Sequence, residues 1–364
     1  MKYVIQEGVK EPAYLQLYYQ IRRDIIGGIY PPHSKLPSKR TLAQDIGVST
    51  ITVAHAYELL CDEGYAESRE RSGYVVIFRA EDVFATPTVH NETLPIAPVP
   101  QADAQSEISF AVLAKVMRTV ISNAGERILA RSANVGTMEL RKAIQQYLAR
   151  NRGIIADVDQ IIIGSGSEYL YTLLVELLGR GKTYAIESPS YKKIEQVYAA
   201  SDVCLQKLTL GADGIDSTEL RDCDADVLHI SPYRSYPSGI SASASKRHEY
   251  LLWAGTADRM IIEDDFESEF SVSRKAEETL FAHTQQDNVI YMNTFSKTVS
   301  QSFRIGYMIL PRHLVGDFYA KLGFYACTVP TFMQLVLAEL ITNGDFERHI
   351  NRVRRAKRRE LAKK

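Results

Sequence analysis

Short apolar runs that alternate with helix-like segments constrain the fold of residues 159–297 more than any other feature. Five runs end in polar or small residues: DQIIIGSG, TYAIESP, DVLHISP, RMIIEDDF and NVIYMNTFSK. Helix-like segments such as SEYLYTLLVELLGRG and SKRHEYLLWAGTA lie between some of them. This alternation predicts an α/β domain with a mostly parallel sheet covered on both faces. Such sheets collect their chemistry at the carboxyl ends of the strands, where these polar clusters fall.

Composition is that of an ordinary globular protein. The chain has 364 residues, 45% of them hydrophobic and 24% charged, with 43 Lys and Arg against 44 Asp and Glu. That length suggests two or three domains. No apolar run reaches membrane-spanning length, and the first residues lack a secretory signal, so we expect no membrane association. Four scattered cysteines form no CxxC pair. We therefore expect reduced cysteines, no metal site and a cytoplasmic protein.

A proline-containing segment divides the chain. Residues 80–107 carry four prolines and show no sustained hydrophobic period, which is typical of an extended linker. We therefore predict an N-terminal domain over residues 1–79 and a larger domain over residues 108–364.

The N-terminal domain begins with an amphipathic helix. The segment PAYLQLYYQIRRDIIGG places four apolar residues on one face and ends in two glycines; the four are Leu15, Tyr18, Ile21 and Ile25. A short helix is then predicted over Thr41–Ile46. Gly47 would supply the turn after it, and Ser49 would cap a third helix.

The third helix has two different faces. Its apolar face carries Val53, Ala56, Tyr57 and Leu60, and the opposite face near its start carries Thr50, Thr52 and His55. Two helices joined by a glycine-containing turn are typical of the helix-turn-helix, whose second helix enters the major groove of DNA. The segment YAESRERSGYVVI follows as a predicted hairpin, or wing, with Arg69, Arg71 and Ser72 at its tip. A plain three-helix bundle with a hairpin is the alternative.

Several cations of this domain would face the phosphates of bound DNA. They are Lys35, Lys39, Arg40, Arg69 and Arg71. Neutralised phosphates provide most of the affinity of such domains, so these positions favour DNA binding.

A lysine follows the apolar run of residues 289–292, in the stretch NTFSKTVSQSFRIGYM. A lysine amine that loses its proton in a partly desolvated site can form a Schiff base with an aldehyde. Pyridoxal phosphate, the common aldehyde cofactor, needs a lysine, an acid near its ring nitrogen, a phosphate cradle and an aromatic neighbour. Lys297 is the candidate lysine and Asp264 the candidate acid. The GSGSE amides of Gly166, Ser167 and Glu168 are the candidate phosphate cradle, and Tyr191 is the candidate aromatic. Thr294, Ser296 and Arg304 flank the lysine and could complete the phosphate site.

The segment LPSKRTLAQDIGVSTITVAHAYELLCDEGY resembles the winged helix of the GntR family of bacterial transcription regulators over about residues 12–77. The resemblance implies that Ser38, Lys39 and Arg40 contact the DNA backbone and nearby bases. It also implies that Ser49, Thr50 and Thr52 stand at the head of the recognition helix and that Gly73 is the wing glycine. Thr50 replaces the family's usual arginine and Ile51 its usual asparagine, so the operator sequence is expected to differ.

The larger domain resembles fold-type I aminotransferases, and the whole chain resembles the MocR subfamily of GntR regulators, which fuses the two domains. The motifs in family order are VGTMELRKAIQQYLARNRGI, GSGSE, ESPSY, YPSG, IIEDDFESEF and NTFSKTVSQSFRIGY. The resemblance implies that pyridoxal phosphate binds covalently to Lys297, with Arg304 and Thr294 at its phosphate. It also implies a head-to-tail homodimer.

The chain departs from this family at several positions. Phe266 replaces a tyrosine whose hydroxyl meets the cofactor's 3'-oxygen, and Arg234 and Ser235 replace His and Gln. The chain ends at Lys364, before the small C-terminal domain that carries the family's substrate-carboxylate arginine. We therefore expect an aminotransferase-like domain without that small domain, which binds its cofactor but does not turn substrate over.

The leading hypothesis is a DNA-binding transcription regulator. Its larger domain would sense pyridoxal phosphate, another form of vitamin B6, or an amine or amino acid that reacts with the cofactor. Two alternatives remain open from the sequence. One is an active pyridoxal-phosphate-dependent aminotransferase, and the other is a DNA-binding protein whose larger domain has lost its cofactor and only dimerises.

Overall fold

A computed structural model describes residues 3–6, 8, 11–70, 72–79, 107–255, 258–271 and 278–362. The chain divides into two compact units, residues 1–98 and residues 99–364. The predicted linker lies outside the described residues except for Glu107, so its extended character stays a prediction. None of the helices in the described ranges has the length and apolar character needed to cross a membrane.

The described part of the first unit contains three helices and a two-stranded hairpin. The helices are α1 (Ala13–Ile26), α2 (Lys39–Ile46) and α3 (Thr50–Asp62), and the strands are β1 (Ala66–Arg69) and β2 (Gly73–Val76). The two strands pair antiparallel, with Arg69 opposite Gly73. Tyr18, Ile21 and Ile25 of α1 are buried as predicted, but Leu17 is fully buried and Leu15 only partly, which shifts the apolar face of α1 slightly. All four residues predicted for the apolar face of α3 have no exposed surface.

The second helix begins two residues earlier than predicted. It starts at Lys39 instead of Thr41, because the hydroxyl of Ser38 accepts a hydrogen bond from the Thr41 amide and caps the first turn. Gly47 ends it with a φ of 73°, in the left-handed region that suits glycine. The helix-turn-helix is thus present, with its turn at Gly47 as predicted.

Among its described residues, the second unit is built around one eight-stranded sheet. Its helices are α4 (Phe110–Ala124), α5 (Met138–Asn151), α6 (Ser167–Leu178), α7 (Lys192–Ala200), α8 (Ser217–Asp222), α9 (Ala244–Ala254), α10 (Leu280–His283), α11 (Arg312–Leu322), α12 (Thr331–Thr342) and α13 (Asp345–Leu361). Its strands are β3 (Ile161–Gly164), β4 (Thr183–Ser188), β5 (Cys204–Gly211), β6 (Gly214–Ile215), β7 (Val227–Ile230), β8 (Met260–Asp264), β9 (Val289–Thr294) and β10 (Gly306–Ile309).

The strand order is β3-β10-β9-β8-β7-β4-β5-β6. Strands β9, β8, β7, β4 and β5 run parallel, whereas β10 is antiparallel to both of its neighbours and β6 is antiparallel to β5. Because β10 reverses direction on each side, β3 runs the same way as β9. The prediction of a mostly parallel sheet is therefore confirmed, and the carboxyl ends of β3, β9, β8, β7 and β4 share one edge.

Both faces of the sheet are covered by apolar side chains. Ile161 and Ile163 pack with α4, α5 and α12 on one face, whereas Ile162 packs with α6 on the other. The same alternation along β8 puts Ile262 and Asp264 on the α6 face and directs Asp265 to the opposite face. The two adjacent aspartates therefore have different environments.

Candidate functional site

The DNA-facing positions predicted in the first unit lie around α2 and α3. Lys39, Arg40, Thr50 and His55 are exposed. The Lys39 ammonium lies 5.5 Å from the centre of the Tyr74 ring, in the wing. These placements leave the side chains of Arg40 and Thr50 open to a partner.

Two serines predicted to contact DNA have their hydroxyls engaged within the protein. Ser38 caps α2, and the Ser49 hydroxyl accepts from the Thr52 amide at 3.0 Å and caps α3. Thr52 lies 2.8 Å from Ser49 through its own hydroxyl and is partly buried. The structural role of Ser38 and Ser49 is therefore to cap the first turns of α2 and α3.

The wing is described only in part. Gly73 opens β2 with a φ of 84°, which favours glycine at this turn. Arg69 is exposed and forms an ion pair with Glu67. Arg71 lies outside the described residues, so its predicted position at the wing tip is untested.

The predicted residues of the larger domain meet at the shared edge of the sheet. Gly306, the first residue of β10, lies opposite both Gly164 at the end of β3 and Thr294 at the end of β9. This register brings the GSGSE segment beside the loop that carries Lys297. Asp264 ends β8, the next strand along, opposite Met292 of β9.

Asp264 stands in a buried polar group that we call the Asp264 cluster, with Tyr171, His229 and Tyr198. The Tyr171 hydroxyl donates a hydrogen bond to Asp264 Oδ2, and His229 Nε2 lies 3.5 Å from the same oxygen. His229 Nδ1 lies 2.7 Å from the Tyr198 hydroxyl. Burial and the adjacent carboxylate raise the pKa of Tyr171 well above its usual range, so the phenol stays a donor. Asp264 is thereby held in one orientation at the strand end.

Backbone amides and cations form a second group, the anion cradle, at the start of α6. Gly166 caps this helix with a φ of 95°, and a Cβ there would lie 2.9 Å from Arg304 Nη2. Ser167 and Glu168 are the first two residues of the helix, where free amides and the helix dipole attract anions. Only glycine fits at position 166 without displacing the guanidinium.

The Glu168 carboxylate lies between two cations of the cradle. Its oxygens are 2.7 Å from Arg304 Nη2 and 2.6 Å from Lys193 Nζ. Although partial burial opposes ionisation, these ion pairs and its own backbone amide lower the pKa of Glu168 to about 2. Arg304 has a φ of 48°, an uncommon conformation for a residue other than glycine.

Lys297 lies three residues beyond β9 and is half-exposed. Its Nζ is 4.4 Å from the centre of the Phe266 ring, 5.9 Å from that of Tyr236 and 3.6 Å from Glu267 Oε2. Between β9 and the lysine, Thr294 Oγ1 lies 3.1 Å from the Ser296 hydroxyl and accepts from the Ser296 amide. We call Lys297, Phe266, Glu267 and Tyr236 the Lys297 cluster.

Tyr191, the predicted stacking aromatic, precedes α7. Its ring meets the ring of Tyr236 edge to face at 5.8 Å between centroids, and Lys193 Nζ is 6.0 Å from its centre. Tyr191 therefore links the anion cradle with the Lys297 cluster.

A buried glutamate lies close to the Asp264 cluster. The Glu187 carboxylate accepts a hydrogen bond from the Ser235 hydroxyl at 2.7 Å. Burial, reinforced by the charge of Asp264, raises the pKa of Glu187 to about 7. On the opposite face Asp265 forms a buried ion pair with Arg152 and accepts a hydrogen bond from the Tyr291 hydroxyl at 2.7 Å. Asp265 is thus a structural residue, whereas Asp264 lies at the site.

Sequence reasoning missed several of these residues: Tyr171, His229, Glu187, Lys193, Tyr236 and Glu267. Two carried a usable signal. A histidine inside the apolar run DVLHISP is unusual for a buried strand, and Tyr171 follows Ser167 by one helical turn on the same face of α6. No cluster of His, Cys, Asp and Glu in the described ranges is arranged to hold a metal ion.

Comparison with known families accounts for both units. The family model for bacterial regulatory proteins of the gntR family matches residues 13–76, and the model for aminotransferase class I and II matches residues 103–363. The second match covers more than half of the chain.

Curated relatives share this arrangement along most of their length. The chain is 31% identical to the HTH-type transcriptional regulator YdeL of Bacillus subtilis, covering 96% of this chain and 78% of the relative. It is 28% identical to the pyridoxine biosynthesis regulator PdxR of Corynebacterium glutamicum, covering 93% and 75%. It is 26% identical to the probable rhizopine catabolism regulatory protein MocR of Rhizobium meliloti, covering 97% and 76%.

Solved structures confirm the fold of the larger unit. Kynurenine aminotransferase of Pyrococcus horikoshii is similar with a TM-score of 0.62 and 24% identity, covering 68% of this chain and 64% of that one. An archaeal alanine:glyoxylate aminotransferase gives a TM-score of 0.62 at 21% identity, covering 68% and 63%. The chain thus spans slightly less than two thirds of the length of these enzymes. With a GntR winged helix followed by an aminotransferase-like domain, the chain belongs to the MocR subfamily of GntR-type transcription regulators.

Proposed function

We propose that this regulator binds operator DNA through its winged helix and holds pyridoxal phosphate at Lys297 in its aminotransferase-like domain. The cofactor, another form of vitamin B6, or an amine or amino acid that reacts with the cofactor would be the signal. The observation that carries the proposal is the convergence of the Asp264 cluster, the anion cradle and Lys297 at one edge of the sheet.

The donors at this edge suit the chemical groups of pyridoxal phosphate. Arg304, Lys193 and the first amides of α6 offer positive charge to a phosphate dianion, and the Thr294 and Ser296 hydroxyls lie next to Lys297. The close approach of Arg304 to Gly166 supports this fit, because a side chain at position 166 would fill the cradle. The buried Asp264 carboxylate suits a protonated ring nitrogen.

Each residue then has a separate task. Lys297 Nζ would form the covalent link, Asp264 would hold the proton on the ring nitrogen, and Tyr171 and His229 would keep Asp264 in place. The Gly166, Ser167 and Glu168 amides would bind the phosphate with Thr294, Ser296 and Arg304, and Tyr191 would contact the ring. When bound, the cofactor would supply an aldehyde carbon for amines and an electron-withdrawing ring.

The amine of Lys297 must exchange its present neighbours for the cofactor. Its ammonium now faces Glu267 and the Phe266 ring, and Glu168 holds Arg304 and Lys193. We infer that both glutamate carboxylates turn aside when the cofactor enters, since a phosphate competes for the same cations as Glu168.

Catalytic turnover is not part of the proposal. Phe266 offers a ring without a hydroxyl beside Lys297. Transamination requires a substrate held in reactive geometry, and Phe266 cannot donate a hydrogen bond to position the reacting group. We expect no keto acid from amino donors over an overnight incubation, whereas measurable keto acid would restore the aminotransferase alternative.

DNA recognition in this proposal rests on the exposed residues at the start of the recognition helix and on nearby cations. Thr50, His55, Lys39 and Arg40 are exposed in the first unit. Binding to two half-sites would follow from a homodimer, which we also propose. An effector can act only if it binds the DNA-competent and DNA-incompetent states with different affinity.

The near-visible absorbance spectrum of the purified protein tests the cofactor site. Titration of the wild type with pyridoxal phosphate should produce a saturable band that dialysis does not remove. Lys297→Ala should show no such band. A matched control is Lys182→Ala, which removes a lysine after α6 and should keep the band. An equal band in Lys297→Ala, or none in the wild type, would overturn the proposed cofactor site.

A further inference from the structure

Three cations, one of them Lys297, contact the carboxylate of Glu267. Arg234 Nη1 lies 3.1 Å from Glu267 Oε1, Lys357 Nζ lies 3.8 Å from the same oxygen, and Lys297 Nζ lies 3.6 Å from Oε2. The three cations come from distant parts of the chain: the loop after β7, the last turns of α13 and the loop after β9. They therefore converge through the fold and not through local sequence.

The charges of this group do not balance. Even when Lys297 holds the cofactor, Arg234 and Lys357 leave two positive groups on one negative carboxylate, so the group favours a further anion. Glu267 is mostly covered, with 19% of its side chain exposed, whereas Arg234 is 56% exposed and Lys357 34% exposed. The two cations can thus be reached from solvent while Glu267 occupies the space between them.

We propose that Arg234 and Lys357 bind the carboxylate of an amino-acid effector beside Lys297, and that Glu267 occupies this site in its absence. The inference rests on the proposed function, because it assumes that effectors act at the cofactor held by Lys297. It narrows the effector class from amines in general to amines that also carry a carboxylate.

The neighbours of the lysine support this choice. An amine that reacts at Lys297 does so beside Glu267, the carboxylate that Arg234 and Lys357 also contact. These two cations attract a carboxylate and repel a second ammonium. A guanidinium also binds a carboxylate through paired hydrogen bonds, which adds geometric selection to the charge. A simple alkylamine would gain none of these contacts.

The test compares amino acids with the amines left by removing their carboxylates. L-Alanine and β-alanine are each paired with ethylamine, and 4-aminobutyrate is paired with propylamine. The three amino acids separate amine and carboxylate by different lengths, so the result does not depend on one spacing. Each compound is titrated into the protein loaded with pyridoxal phosphate, and its Kd is taken from the change in the near-visible band.

In the wild type, at least one amino acid should bind about tenfold or more tightly than its paired amine, as expected for charge-assisted hydrogen bonds. In the double variant R234Q/K357Q each amino acid and its paired amine should have Kd values within about twofold of each other, because the partners of the carboxylate are gone. Glu267→Gln should tighten the binding of the amino acid and leave the binding of the paired amine nearly unchanged. Arg312→Gln, which removes an exposed cation after β10 at the opposite edge of the sheet, should behave as the wild type.

Three results would overturn the inference: equal Kd values within all three pairs in the wild type, discrimination that survives in R234Q/K357Q, or weaker amino-acid binding in Glu267→Gln. Failure of the proposed function gives a different result, since no band forms with pyridoxal phosphate alone. The same pairs are then compared by their shift of the Tm of the cofactor-free protein. A carboxylate-dependent shift that R234Q/K357Q removes supports the inference, and equal shifts within every pair overturn it.

Discussion

The two units of this regulator place their functional groups in opposite ways. The winged helix exposes Arg40, Thr50 and His55 on its surface, whereas the aminotransferase-like domain buries Asp264 and His229 to 4% and 2% exposure. In the winged helix, substitutions that change the preferred DNA sequence should therefore cost little folding free energy. In the larger domain the same hydrogen bonds that hold the fold also orient the candidate site, so the proposed cofactor binding and the stability should change together.

The strongest test of this contrast is Asp264→Ala. Loss of the carboxylate leaves the buried Tyr171 hydroxyl without its acceptor, which should destabilise the protein by about 1–3 kcal/mol. The affinity for pyridoxal phosphate should fall on the order of 100-fold, as when one partner of a buried charge pair is truncated. Thermal unfolding and the near-visible titration measure the two effects.

The double variant D264A/Y171F is the control for the first effect. It removes both partners, so part of the stability lost in Asp264→Ala should return while the cofactor affinity stays low. Unchanged stability in Asp264→Ala would contradict the claim that site and fold share these hydrogen bonds.

The pH dependence of stability should reveal the buried Glu187. Its pKa is raised by burial from 4.5 to about 7 in the folded protein, so the folded state holds a proton that the unfolded state has lost between these values. Its contribution to stability is therefore fully present below pH 4.5 and is lost as the pH rises through about 7. The loss is about 3 kcal/mol once the pH is well above 7.

Glu187→Gln removes this titration and retains an oxygen that can accept from Ser235. Urea unfolding between pH 5 and 8 should therefore show a flatter dependence for this variant than for the wild type. Parallel curves would mean that Glu187 does not titrate in this range.

On the exposed side of the comparison, Arg40→Ala should weaken DNA binding about tenfold and leave the Tm unchanged. The DNA is a duplex selected from a random pool by the wild-type protein. Loss of one phosphate contact should also reduce the salt dependence by about one ion. Arg23→Ala, which removes an exposed cation from the last turn of α1, is the matched control. Equal affinity of Arg40→Ala and wild type at matched salt would contradict the proposed DNA surface.

The smallest expected effect separates two neighbouring residues of the recognition helix. Ser49→Ala removes the cap of α3 and should cost about 1 kcal/mol, seen as faster amide hydrogen exchange in the first turn. Thr50→Ala should leave that exchange unchanged and alter only the preferred DNA sequence. If both variants exchange alike, the Ser49 hydroxyl does not stabilise the helix.

Local signals in the sequence were enough to predict much of the fold. Gly47 and Ser49 located the helix-turn-helix, and the polar ends of the apolar runs located the sheet edge with Asp264 and Lys297. These features depend on residues close together in the chain. The start of α2 was placed two residues late, at Thr41, because Ser38 was not identified as the cap whose hydroxyl accepts from the Thr41 amide.

The parts that escaped prediction depend on contacts between distant residues. Tyr171 meets Asp264, and Lys357 meets Glu267, only because the sheet order and the path of α13 bring them together. Nor does the sequence show that Glu168 and Glu267 each lie among cations. Such pairings arise from tertiary packing, which hydrophobic periodicity and motif spacing do not specify.

The measurement that tests the central claim most directly is DNA affinity with and without pyridoxal phosphate, for the wild type and Lys297→Ala on the same selected duplex. If the cofactor site regulates the winged helix, saturating cofactor should change the wild-type Kd by about fivefold or more, in either direction. Lys297→Ala should show no change. An identical wild-type Kd under both conditions, while the near-visible band shows that the cofactor is bound, would contradict the account.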